Sequence, residues 1–202
     1  MEIGIDSHHR PPPAPRRHTY SEIMATIAKP VDPALSPALA EIEKKTGPSN
    51  FLRVMANQPD ALRAFAPLYA AVVGTKVLDS RLKEMIYLAV SFVNECDYCA
   101  SHHIGTGRDA GLTDDEIREI EMENNQNFTP REQAALHYVR ELTRTADVDG
   151  GTRNAVEELF SSDQLVAITM IAAMANFTNR FNNGLSVPLE AGSAPLSTPA
   201  LG

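Results

Sequence analysis

The chain has 202 residues, which fits one ordinary domain, or one domain with tails, and excludes two full ones. Hydrophobic residues make up 43% and charged residues 22%, so a buried core is feasible and the bulk of the chain is not intrinsically disordered. The net charge of −8 offers no electrostatic footprint for a polyanion, which removes nucleic acid from the expected partners.

Met1 to Arg10 contain no basic start followed by an apolar stretch, so no secretory signal is read there, and the cytoplasm is the expected compartment. Residues 1–18 form a leader marked by Pro11-Pro12-Pro13-Ala14-Pro15. Proline lacks an N–H and fixes φ, so this leader is expected to be an extended arm. Its basic group, Arg10, Arg16 and Arg17, reads as a solvated tail, and His18 as an ordinary surface histidine.

From residue 19 to 185 the apolar residues recur at helical spacing, and an all-α domain is expected. Helices are read near residues 37–45, 51–56 and 60–73, then from 79 to 92 or 94, and from 97 to 110 with a stop at Gly111. Thr113, followed by Asp114, Asp115 and Glu116, caps a helix running to about Glu123. Thr129-Pro130-Arg131-Glu132 is a capping box that opens a helix to about Arg144. A short helix follows at 156–160, and the longest runs from 163 to 183. That last helix is apolar on nearly every side between Leu165 and Ala175. It therefore needs cover from other helices or from a second subunit. The run falls well short of the ~20 residues that cross a bilayer, and no membrane partner is expected. The tail, 186–202, carries Pro188, Pro195 and Pro199 and reads as a second extended arm.

The chain's only two cysteines, Cys96 and Cys99, lie three apart, which is too few for a disulfide framework. If residues 96–103 are helical, Cys96, Cys99 and His103 fall within roughly 60° of one face, while His102 points elsewhere. Rise along the axis separates Cys96 from His103 by about 10.5 Å, so His103 serves Cys99 more easily. Glu84 would lie about 18 Å from Cys96 on a continuous helix. A chain reversal near Asn94-Glu95 instead brings it alongside His103, a spacing that permits a carboxylate, an imidazole and a thiol to act in series. Three readings remain for the cysteine pair. A structural zinc needs four ligands that one helix cannot supply. Two buried thiols acting as small hydrophobes are common. A redox dithiol accounts for the spacing and for a helix N-terminus that favours thiolate. His137 and the scattered methionines read as packing or surface residues. Asn176, Asn179, Arg180, Asn182 and Asn183 read as a polar helix end, or alternatively as the lining of a site.

Glu84, eleven residues, Cys96-Asp97-Tyr98-Cys99, three residues and His103 together resemble the signature of the alkylhydroperoxidase D-like proteins of the carboxymuconolactone decarboxylase superfamily. Arg81-Leu82-Lys83-Glu84, Ala89-Val90-Ser91, Gly111 to Ile117 and Asn179-Arg180 extend the likeness, which is strong over residues 77–121 and looser to about 185. The resemblance implies a helical bundle and a thiol-dependent peroxidase that acts on alkyl or hydrogen peroxides without a bound cofactor. Cys99 would be the attacking thiol, Cys96 the resolving thiol, and Glu84 and His103 the proton relay. It further implies an unidentified dithiol or protein electron donor and a homo-oligomer, trimer or hexamer. Tyr98 departs from alkylhydroperoxidase D itself, which has histidine between its cysteines, so the same donor is not implied. The rival readings are a carboxymuconolactone decarboxylase-like lyase or isomerase that uses His103 or Glu84 as base, and a non-catalytic redox-sensing oligomeric module.

Overall fold

Proline and hydroxyl caps punctuate a chain that folds, in the computed structural model, as helices throughout the described residues, 27–190. The readings of the leader and of the tail beyond residue 190 lie outside the described residues. One turn of 3-10 helix at Pro33–Leu35 leads into α1 (Pro37–Thr46), α2 (Asn50–Met55) and α3 (Pro59–Val73). There follow α4 (Ser80–Val93), α5 (Asp97–Asp109), α6 (Asp114–Glu121), α7 (Pro130–Thr145), α8 (Gly150–Leu159) and α9 (Ser162–Leu185). Both expected capping boxes form, Thr113 with Glu116 and Thr129 with Glu132. Gly111, at φ +94, follows the end of α5, a backbone conformation that costs a residue with a Cβ. The helix expected at 156–160 starts six residues earlier: the Asp149 carboxylate accepts the Thr152 N–H at 2.9 Å, and this cap offsets the low propensity of Gly150-Gly151.

The helix with no exposed side is α4, whose residues 85–91 are all buried, and it packs on α5, α6, α7 and α9. By contrast α9 keeps one apolar stripe in solvent, with Val166 58%, Met170 45% and Phe177 50% exposed. The expectation that other helices cover α9 therefore holds for only part of its surface. Ala172 is fully buried and Ala173 is exposed, so of the two small residues only Ala173 reaches this stripe.

Arg81 of α4 fastens three helices at once. Its guanidinium grips Glu116 at 2.6 and 3.2 Å and Glu132 at 2.9 Å, and these are the two capping-box glutamates of α6 and α7. The Arg81 hydrogen bonds, with help from the Thr113 cap, lower the Glu116 carboxyl from the usual 4.5 to about 2. A carboxyl depressed on folding adds stability above its unfolded value, and that stability is lost as pH falls toward the folded one. The wild-type protein is therefore expected to lose stability between about pH 4.5 and pH 2. Arg81→Met is expected to flatten that slope and to cost about 2 kcal/mol at pH 7, read from urea midpoints across the pH series.

The chain after α9 does not run free. Ser186 takes the left-handed conformation at φ 52, Val187 is buried, and the Asn50 side chain donates to the carbonyls of Pro188 and Leu189 at 3.0 and 3.2 Å. The expected arm thus begins as a strap laid on α2.

Candidate active site

The chain reverses between α4 and α5 at Asn94 to Cys96, as the spacing required. Glu95 turns it in the left-handed region (φ 50), and the Cys96 N–H returns to the Ser91 carbonyl at 2.9 Å. Asn94 ties this corner to α9 by donating to the side-chain oxygens of Asn176 and Asn179 at 3.0 and 2.9 Å. Gly107 lets α5 lie close to α4: a Cβ there would stand 3.1 Å from Leu112 Cδ1 and 3.9 Å from Glu84 Cβ. With the two helices this near, His103 Nδ1 meets Glu84 Oε2 at 2.7 Å.

Thr106, which the sequence reading did not single out, donates its hydroxyl to the same Glu84 oxygen at 2.7 Å. Burial pushes the Glu84 carboxyl up, but the His103 contact, the imidazole charge and the Thr106 hydroxyl outweigh it, so Glu84 sits below its usual value. Arg81, one turn before Glu84, is engaged by Glu116 and Glu132 instead of by Glu84. The His103 ring stacks on Tyr87, with centroids 3.6 Å apart and planes 17° apart. His103 makes no hydrogen bond to Cys99. The Tyr87 hydroxyl instead bonds the Thr178 hydroxyl at 2.6 Å, and Thr178 Oγ1 lies 4.0 Å from Cys99 Sγ.

Cys96 is the N-cap of α5 rather than its first helical residue, and its sulfur accepts the Cys99 N–H at 3.4 Å. Both thiols are free and buried. Around Cys99 the inner face of α9 supplies polar groups: Asn182 Nδ2 donates to Sγ at 3.2 Å, and Thr178 and Asn179 sit beside it. A hydrogen bond from Cys96, together with Asn182, Asn179 and Thr178, lowers the Cys99 thiol from 9.0 to about 7 despite burial. Cys96 moves the other way, raised by its hydrogen bond to Cys99 and by desolvation. Position in the helix alone would make Cys96 the more acidic thiol; its neighbours reverse that order. Thr178, Asn179 and Asn182 form an i, i+1, i+4 set on the inner face of an otherwise apolar helix, and this spacing was the signal available in the sequence.

Tyr98, between the cysteines, points away from the Cys99 cradle into a second polar cluster. Its hydroxyl donates to Glu190 Oε1 at 2.5 Å and accepts the Phe51 N–H at 3.2 Å. Glu190 also accepts the Asn50 N–H at 2.9 Å and faces His102 Nε2 at 3.3 Å. Burial raises the Glu190 carboxyl, but His102, Tyr98 and Asn50 overcome this and bring it to about 2. The hydrogen bond that His102 donates to Glu190 in turn raises His102. His102 thus diverges from His103, as the helical wheel required, and the strap after α9 fixes the start of α5. Among the described residues no group of three or more His, Cys, Asp or Glu side chains is arranged to hold a metal ion, and no helix is long and apolar enough to cross a membrane.

Residues 59–141 match the model of the carboxymuconolactone decarboxylase family. A stretch of 56 residues is 36% identical to uncharacterized protein 4 in the cox locus of Paracoccus denitrificans, covering 28% of this chain and half of that protein's length. The apo structure of the debrominase Bmp8 superposes with a TM-score of 0.73 at 23% identity, over 83% of this chain and 94% of that one. A peroxidase-related protein from Ralstonia eutropha JMP134, with the alkylhydroperoxidase AhpD core, gives 0.68 at 22% identity over 80% and 87%. These structural likenesses establish the helical fold.

Proposed function

We propose that this chain is an alkylhydroperoxidase D-like member of the carboxymuconolactone decarboxylase superfamily, whose family model matches residues 59–141, and that it is a thiol-dependent peroxidase acting through Cys99 and Cys96. The observation that carries the reading is the asymmetry of the dithiol. Asn182 donates to the Cys99 sulfur and, with Cys96, Asn179 and Thr178, lowers that thiol, whereas Cys96 is raised beside it. A thiolate attacks the terminal oxygen of a hydroperoxide, forming an S–O bond as the O–O bond breaks. The departing alkoxide takes a proton, for which Glu84 and His103 are the paired source. His103 Nδ1 is committed to Glu84, which leaves Nε2 to pass the proton. Cys96 then displaces the hydroxyl of the Cys99 sulfenic acid; its own proton leaves with that oxygen as water, and a disulfide remains. A dithiol donor restores both thiols with two electrons and two protons.

The test is mass spectrometry of the reduced protein after one equivalent of alkyl hydroperoxide, with and without a sulfenic acid trap. A Cys96–Cys99 disulfide formed in step with peroxide loss supports the reading. Thiols that stay reduced would end it.

Assembly with further copies of the chain belongs to the same proposal. Val166, Met170 and Phe177 are exposed along one side of α9, Leu68 of α3 is exposed as well, and Phe177 stacks on Phe65 of α3 at 5.5 Å. Exposed apolar residues aligned on one helix face favour burial against a second surface. Val166→Glu changes a residue already in solvent, so the fold is expected to persist while the mass in solution falls to that of one chain. Light scattering showing a stable monomer for the unmodified protein at micromolar concentration would remove the assembly.

A further inference from the structure

Asn182 lies on the inner face of α9, one turn beyond Thr178, and is 3% exposed. Only half of its amide is used. Nδ2 donates to Cys99 Sγ at 3.2 Å, whereas Oδ1 is enclosed and has no hydrogen-bond partner. A buried acceptor left without a donor is destabilising, and such groups are few in native interiors. Its neighbours are all paired: Thr178 with Tyr87, Asn179 with Ser91 and Asn94, and the Val187 N–H with the main-chain carbonyl of Asn182. Helix capping therefore does not explain the free Oδ1. Because Oδ1 and Nδ2 share one carbon, a donor bound to Oδ1 lies beside the sulfur.

The missing group is thus an O–H or N–H donor that enters next to a thiolate. The terminal oxygen of a hydroperoxide meets both demands, since it carries a hydrogen and is the atom the thiolate attacks. A dialkyl peroxide has no such hydrogen. Resting on the peroxidase reading above, we propose that Asn182 is a catalytic residue that receives the terminal O–H of the hydroperoxide on Oδ1 while its Nδ2 holds the Cys99 sulfur, and so selects hydroperoxides over dialkyl peroxides. In the step itself sulfur is oxidised by two electrons and the peroxide is reduced by two. The alkoxide leaves with a proton from the Glu84–His103 pair. The hydrogen on the attacked oxygen stays there and becomes the sulfenic O–H, which keeps its bond to Oδ1 until Cys96 displaces it.

The experiment separates this role from simple thiolate stabilisation. Reduced wild type, Asn182→Leu and Asn182→Ala are mixed at pH 9, above the lowered value of Cys99, with ethyl hydroperoxide or with methyl methanethiosulfonate, a thiolate reagent that has no O–H or N–H. The variants are expected to slow with both reagents, because Asn182 helps to hold the Cys99 thiolate, but to lose about 10–100-fold more with the hydroperoxide than with the thiosulfonate. Equal losses with both reagents would overturn the role of Asn182 and leave the peroxidase reading standing. If wild type consumes ethyl hydroperoxide no faster than free cysteine, the peroxidase reading itself falls. Should neither variant fold, the unmodified protein decides: acceleration over free cysteine is expected for ethyl hydroperoxide and not for diethyl peroxide, and equal acceleration of the two would refute the selection.

Discussion

Cys96→Ser is expected to stop the reaction half-way, consuming one equivalent of hydroperoxide and accumulating a sulfenic acid on Cys99, while Cys99→Ser is expected to lose peroxide reduction by at least about 1,000-fold. The two thiols share one site for negative charge. A hydrogen bond from Cys96 lowers Cys99, and the same bond raises Cys96, so ionising one holds its neighbour protonated. Asn182, Asn179 and Thr178 lie on the Cys99 side and decide which thiol carries the charge. Cys96→Ser keeps an O–H that can donate to the Cys99 sulfur and cannot itself ionise, so the first attack should proceed at close to the wild-type rate. Trapping the sulfenic acid only on Cys96, in the Cys99→Ser protein, would reverse the assignment. The double Cys→Ser protein tests the lyase or isomerase alternative, because turnover of a lactone by it would leave both thiols as spectators.

What the sequence disclosed about this site follows from what is local in it. The turn at Asn94-Glu95 and the register of Glu84 with His103 are consequences of helix rise across one hairpin, and a 2.7 Å contact results. Capping chemistry located the starts of α6 and α7, because a hydroxyl at the N-cap acts within its own turn. The start of α8 was missed because Gly150-Gly151 obscured the Asp149 cap. For the groups that reach the dithiol from α9 the sequence leaves a polar helix end and a site lining both open, since nothing local to Asn182 states that Cys99 lies against it, 83 residues earlier in the chain. Glu190 was harder still. It follows Pro188 in a segment with no periodicity, and its partners Tyr98, Asn50 and His102 are known only once α2 and α5 are packed together. The open face of α9 has the same origin: a helix apolar all round states that cover is needed, from other helices or from a second subunit, and not which face the other helices leave open.

Glu84→Gln is expected to lower the single-turnover rate of peroxide reduction by about 100-fold while the protein stays folded, within the range for loss of a general acid–base group. An amide keeps the shape of the side chain and can still bond to His103 and Thr106, so the α4–α5 contact survives. It carries no charge to balance an imidazolium and takes no proton. The fold does not depend on the Glu84 charge, because Arg81 is anchored on Glu116 and Glu132, and Lys83 donates to the carbonyls of Val73 and Thr75. The pH profile separates the two contributions to the rate. Glu84 lies below the usual carboxyl value and is ionised throughout the neutral range, so it produces no inflection there. Cys99, lowered to about 7, does, and the wild-type rate should rise with pH as its thiolate forms. In Glu84→Gln that rise should persist at reduced height, since the nucleophile is unaltered and only proton delivery to the departing oxygen is impaired. A folded Glu84→Gln protein with an unchanged single-turnover rate would exclude Glu84 from the mechanism, and a profile whose inflection moved instead of shrinking would make it a modulator of the Cys99 thiol.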